Sequence, residues 1–211
     1  MRFIYVRPKE DYLRLEKIRD VIELPLDDVL DINGWDLQKA LRLLYKSNPT
    51  LFEWAASPIV YMETEFAGQF RNMMNTYFST KKSLYHYISM AEGNYREFLR
   101  GANVKAKKYF YVMRPVLACR WILEKGTPPP MRFTELMAAE LPGELHPEME
   151  HLLELKMNAP EIKEIPRIDV LNEYLDTSIT EIKNLLLDME DTKKMEWEIL
   201  NQMFLKFISV N

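Results

Sequence analysis

Strand-forming runs stop at residue 62 of this chain, and everything beyond them reads as helix. Phe3 to Val6 is aromatic and β-branched and is closed by Pro8, so it reads as a strand. Asp11 to Lys17 reads as a turn of helix. Asp20 to Leu24 reads as a second strand, stopped by Pro25 and an Asp27-Asp28 turn, and Val29 to Ile32 as a third. Asp36 is placed to cap a helix whose Leu37, Ala40, Leu41 and Leu44 share one face. Asn48-Pro49 opens the next helix, with a capping side chain followed by proline in the first turn. Ser57-Pro58 ends it, and Ile59 to Tyr61 returns as a strand.

From Glu63 onward the apolar period is that of helices. Glu63 to Phe78, Lys81 to Leu99 and Val104 to Lys125 are the long ones, with Gly101 and Gly126 as stops. Thr127-Pro128-Pro129-Pro130 is a stiff linker, followed by a short helix near Phe133 to Ala139. Pro147 to Met157, Ile168 to Met189 and Lys193 to Ile208 complete the set. The fold class expected is therefore α+β: a small mixed sheet in residues 1–62, then a helical bundle in residues 63–211. The apolar stripe Ile168, Leu171, Leu175, Ile179, Ile182 and Leu186 suits packing inside that bundle better than a dimer seam. All four tryptophans, Trp35, Trp54, Trp121 and Trp197, fall near apolar positions and are expected in the core.

Composition narrows the class without naming a function. No apolar run approaches the roughly 20 residues that span a bilayer, and Arg2 onward is charged where a signal peptide would be apolar. No membrane partner is expected, and the cytoplasm is the expected compartment. Cys119 is the one cysteine, which excludes an internal disulfide or a cysteine-built zinc site. Charge is uneven: residues 81–126 hold ten basic side chains against three acidic, while residues 127–211 hold 8 against 17. A basic segment with aromatic residues between its charges suits an anionic, ring-bearing ligand, or else a solvated helix face balanced by the acidic tail.

Two constellations carry potential chemistry. The first is Leu30-Asp31-Ile32-Asn33-Gly34-Trp35-Asp36-Leu37, where Asp31 sits within an apolar run just before a helix, a common way to aim an oxygen at a metal. Taken alone, Asp31 reads equally as a strand-end or turn aspartate, and Asp36 as a helix cap. The second lies on the helix that holds Lys107, Lys108, Tyr111, Arg114 and Pro115. Lys107, Tyr111 and Arg114 fall at i, i+4 and i+7, so one face offers two cations and a phenol. Pro115 removes a backbone bond there and should bend the helix. Tyr85 and His86 are candidates to stack on a base or touch a phosphate. His146 and His151 are five apart, the wrong spacing for a shared metal.

Several words of the sequence fall together: Arg2-Phe3-Ile4-Tyr5-Val6-Arg7-Pro8, the Asp31 segment, Ser57-Pro58-Ile59-Val60-Tyr61, and Lys107-Lys108-Tyr109-Phe110-Tyr111-Val112-Met113-Arg114-Pro115. In these the chain resembles the nucleotidyltransferases of the DNA polymerase β superfamily, in the RNA-repair-pathway polymerase β family. The resemblance implies transfer of a nucleoside monophosphate from an NTP to a hydroxyl, with an RNA end as one acceptor, on two Mg²⁺ ions held by three carboxylates. It also implies a Gly-Ser turn that cradles the triphosphate. Asp31 matches the third carboxylate, and with it the role of metal ligand. Lys107 or Lys108 and Arg114 match positions that contact phosphate, with Tyr111, Tyr85 and His86 beside the nucleotide.

The family's Asp-x-Asp pair would fall just ahead of Arg2, and its Gly-Ser turn further upstream. Neither is among these 211 residues, and no Gly-Ser dipeptide occurs at all. The family places valine where Met1 stands, and a GUG valine codon can be read as a start, so an internal start within a longer gene is one expectation. As written, the chain should be inactive alone. The alternative is a non-catalytic remnant that binds nucleotide, RNA or a partner protein. A purely structural scaffold would leave the Asp31 segment and the basic helix without a purpose. Acceptor, NTP preference and oligomeric state are not legible.

Overall fold

The computed structural model describes residues 1–24, 30–158, 164–191 and 196–209. They form two compact units, residues 1–78 with 193–211, and residues 79–192. The boundary anticipated after residue 62 lies inside the first unit. The helix beyond it and the C-terminal helix are built into that unit's aromatic packing, which a reading of local periodicity does not register.

In the first unit β1 (Arg2–Tyr5) runs parallel to β3 (Asn33–Asp36), and β2 (Val21–Glu23) lies antiparallel on the other side of β3. Register is Arg2↔Asn33 through Tyr5↔Asp36. Alternation puts Arg2, Ile4, Asn33 and Trp35 on one face, and Phe3, Tyr5, Gly34 and Asp36 on the other. The third strand is therefore not Val29 to Ile32. Leu30 to Ile32 are outside any strand, and Val29, like the Asp27-Asp28 turn, lies outside the described residues. Asn33-Gly34, which looks like a turn dipeptide, is strand because the Phe3 ring lies across Gly34. A Cβ there would stand 2.4 Å from Phe3 Cζ, so the close approach needs glycine.

α1 (Lys9–Tyr12) is a single turn, shorter than the polar run Asp11 to Lys17 suggests. α2 (Leu37–Tyr45) starts where Asp36 accepts the Gln38 N–H at 2.9 Å, and buries Leu37, Ala40, Leu41 and Leu44 as its period requires. α3 (Pro49–Ala55) has Asn48 accepting the Leu51 N–H at 3.3 Å and Pro49 in its first turn. Ile59 to Tyr61 forms no strand; Tyr61 is 78% exposed, and no sheet edge meets it. α4 (Glu65–Tyr77) is capped by Thr64. From the far end of the chain α10 (Trp197–Ile208) returns to this unit on three ring contacts, Tyr45–Trp197 stacked at 3.7 Å and Tyr12–Phe204 and Phe66–Phe207 edge-on at 5.0 Å.

The second unit is an antiparallel hairpin of α5 (Thr80–Phe98) and α6 (Ala106–Lys125), joined through β4 (Asn103–Lys105). Ser79 caps α5 and Gly126, at φ +66°, ends α6 in the left-handed conformation. α7 (Phe133–Glu140) and α8 (His146–Asn158) pack on α6. β5 (Glu164–Pro166) pairs antiparallel with β4, so strand does not end at residue 62 after all. Three-residue strands are too short to show a period. α9 (Asp169–Asp188) buries Leu171, Leu175, Ile179, Ile182 and Leu186 within the unit, against α5 and α6.

The tryptophans depart from expectation. Trp35, Trp54 and Trp121 are half-buried and Trp197 is 44% exposed. Trp35 and Trp54 stack on each other at 3.7 Å, and the Trp121 N–H donates to Thr127 Oγ1 at 3.2 Å, so each ring keeps one side at the surface. Among the described residues no helix is long and apolar enough to cross a membrane.

Candidate functional site

Asp31 lies two residues before Asn33, where the β1–β3 ladder begins, and a hydrogen bond from Met1 holds its backbone. The Asn33 N–H donates to the Met1 carbonyl at 3.0 Å, and the Met1 amino group donates to the Asp31 carbonyl. Arg2 shares a face with Ile4, Asn33 and Trp35, and Asp31, outside the strand, meets it there. The Arg2 guanidinium confirms that placement. Its Nη2 donates to Asp31 Oδ2, and its Nη1 donates to the carbonyls of Asp31 at 2.9 Å and Met1 at 3.0 Å. The hydrogen bond from Arg2, reinforced by its charge, holds the Asp31 carboxyl below the usual range. The side chain is exposed and so is ionised and reachable from solvent.

Asp36 is chemically the opposite case. It is fully buried and its oxygens are filled. Oδ2 accepts from Arg7 Nε at 2.9 Å and from the Tyr12 hydroxyl at 2.7 Å, and Oδ1 accepts the Gln38 N–H. Burial, with Asp36 as a further cause, pushes the Tyr12 phenol up to about 12. Asp36 therefore anchors the entry of α2; fully buried and bonded through both oxygens, it is not placed to meet a cation from solvent. Its cap role is legible in sequence, but Arg7 and Tyr12 are not, because they approach from 24 to 29 residues away.

Among the described residues no three His, Cys, Asp or Glu side chains converge as a metal site. Asp31 alone, already engaged by Arg2, does not fit a two-ion centre. Its neighbours do form a cleft of about 190 Å³ on the same sheet face, between β1, α3 and α4. Arg2, Trp54, Phe66, Phe70 and Arg71 are among its walls. Arg71 is held by Glu63 and by the Ala55 carbonyl at 3.3 Å. In sequence Arg2 is one of the N-terminal charges ahead of the Phe3 to Val6 strand, and Trp54 reads as core. The one available signal was the alternation that sets Arg2 beside Ile4.

In the second unit Lys107, Lys108, Tyr111 and Arg114 all lie on α6, as spacing implied. The Lys108 ammonium lies 3.4 Å from the centre of the Phe98 ring and 4.7 Å from that of Tyr111, so the cation is stacked rather than ion-paired. Lys107 is half-buried and Tyr111 is 49% exposed. Arg114 reaches the Met131 carbonyl at 2.8 Å, which ties the segment after the proline run to α6. Pro115 is accommodated inside a helix that continues to Lys125.

Tyr85 and His86 are exposed on α5 but are not gathered with these cations. Cys119 Sγ meets the Leu84 carbonyl at 3.8 Å while Lys108 meets Phe98, so the pair sits on the order of 15 Å along the hairpin from Lys108. Burial raises the Cys119 thiol pKa, which suits packing and not nucleophilic attack. His146 Nε2 lies 3.2 Å from the Leu141 carbonyl at the start of α8, and His151 is exposed further along it.

The uncharacterized protein YcgL of Bacillus subtilis (strain 168) is 47% identical over 212 residues, which cover 99% of this chain and 81% of that protein. No solved structure matches. The profile of the RNA repair pathway DNA polymerase beta family matches residues 1–206. With nearly its whole length matched, this chain belongs to the RNA repair pathway DNA polymerase beta family.

Proposed function

We propose that the protein is a nucleotidyltransferase-type fold whose complete catalytic form transfers a nucleoside monophosphate from an NTP to a hydroxyl, with an RNA end as the first acceptor to test. The reading rests on the family match and on one geometric observation, the β1–β3 register. Continued backward from Arg2↔Asn33, it sets Asp31 opposite the residue that would precede Met1 in an extended strand. That is where the family's Asp-x-Asp pair is expected, on the same sheet face. In this reading Asp31 is the third carboxylate of a Mg²⁺ site, and Arg2 keeps it ionised and oriented. Only in a complete form that adds the two missing carboxylates would Asp31 help hold Mg²⁺, which would supply charge neutralisation at the NTP and activation of the attacking oxygen.

The 211 residues supply one such carboxylate, so by themselves they bind rather than catalyse. Lys107 and Lys108, displayed beside Tyr111, are the proposed contacts to phosphate or RNA backbone. Arg114, which donates to the Met131 carbonyl through Nη1, is the third proposed cation on this helix. Tyr85 and His86 lie too far along the hairpin to meet the same phosphate, and would touch nucleotide at a separate point.

Titration of ATP and CTP with and without Mg²⁺, in the parent chain and in Asp31→Ala, tests this. Mg²⁺ should tighten binding by about tenfold in the parent chain and have no effect in the variant. The Arg2–Asp31 pairing favours a second reading, a non-catalytic remnant in which arginine has taken the cation's place. Binding that ignores Mg²⁺ in both proteins would select it.

A further inference from the structure

The cleft beside Asp31 has a lining unlike that of a hydrophobic gap. Its walls are aromatic and aliphatic, from Trp54, Phe66 and Phe70, but its charged members are two arginines. Each arginine is locked by a carboxylate, Arg2 by Asp31 and Arg71 by Glu63, and each also bonds a backbone carbonyl. Among the described residues Arg2 Nε and Arg71 Nη2 meet no protein acceptor. The guanidinium is a donor-only group, so these N–H edges, hydrated in the free protein, suit a ligand that presents acceptors. Their fixed orientation means that little side-chain freedom is lost on binding. The Trp54 ring is already stacked on Trp35 and faces the Arg2 guanidinium at 5.9 Å. At about 190 Å³ the cleft falls below the ~300–1,000 Å³ of sites that enclose a drug-sized molecule, so it takes one ring system and not a whole nucleotide.

We infer that this cleft is a nucleobase subsite, with guanine as its best occupant. A flat ring meets the aromatic walls, and the adjacent O6 and N7 acceptors meet the arginine edges, as in arginine readout of guanine elsewhere. Adenine presents a donor beside its acceptor on that edge and leaves one arginine unmatched. The inference deepens the proposed function and rests on it in one respect: Arg2 both lines the cleft and bonds Asp31, so the base would sit one side chain away from the proposed metal ligand.

The test is a titration of the intact chain with GMP and AMP in the presence of EDTA, followed by tryptophan fluorescence and calorimetry. GMP should bind about tenfold tighter than AMP. Ala67→Phe fills the cleft from α4 without removing a packed side chain, and should weaken GMP at least tenfold. Arg71→Gln should bring GMP to the level of AMP, with circular dichroism showing both variants folded. Equal binding of the two nucleotides, GMP binding untouched by Ala67→Phe, or no GMP binding at millimolar concentration would each overturn the subsite. Inorganic tripolyphosphate with and without Mg²⁺ reads the metal proposal separately, because it carries no base. Mg²⁺-dependent tripolyphosphate binding without GMP binding sinks the subsite alone, and the reverse result sinks the metal reading alone.

Discussion

Asp31 and Asp36 are five residues apart and have opposite physical lives. Asp36 has no contact with solvent and satisfies a guanidinium, a phenol and a helix N–H. Removing it leaves Arg7 charged and half-enclosed, so Asp36→Ala should cost about 3 kcal/mol in a urea or guanidinium unfolding curve. Asp31 is exposed, and Asp31→Ala should leave the unfolding midpoint unchanged while removing any Mg²⁺ response. That contrast makes the binding test interpretable, because the informative variant remains folded. What separates them is position: Asp36 ends β3 against Arg7 and Tyr12, whereas Asp31 lies before the strand and meets only the N-terminal residues Met1 and Arg2.

At the level of elements, the packing of β1 on β3 depends on one missing methyl. Gly34→Ala would set a Cβ against the Phe3 ring and push it off the sheet, at a cost of about 1–3 kcal/mol. Phe3→Leu in the same chain should recover part of that loss, and a double-mutant cycle of unfolding free energies measures the coupling. The helices were legible because their periods, and caps such as Asp36 and Asn48, are local: those side chains accept the backbone N–H groups of Gln38 and Leu51. The strands were less so. β3 was read four residues early, since Asn33-Gly34 carries turn chemistry and only the ring of Phe3 reveals the need for glycine. β4 and β5 went unseen because they are short and pair across roughly sixty residues of chain.

At the scale of the molecule, the chain leaves its first unit at residue 78 and returns to it with α10. Truncation after residue 191 should therefore expose amides of α2 and α4 to faster hydrogen exchange, while the α5–α6–α9 core keeps its protection. Equal loosening of both units would contradict that division. The sequence by itself determined the family words, the α+β class, the helix starts and the placement of Lys107, Lys108, Tyr111 and Arg114 on one helix, because these depend on neighbours within one or two turns. Only the tertiary structure decided that Asp31 meets Arg2, that Asp36 is spent on Arg7 and Tyr12, that Arg71 and Trp54 share a cleft, and that Tyr85 stands far from Lys108. Each of those depends on which distant segment closes against which face, and a linear pattern carries no record of that choice.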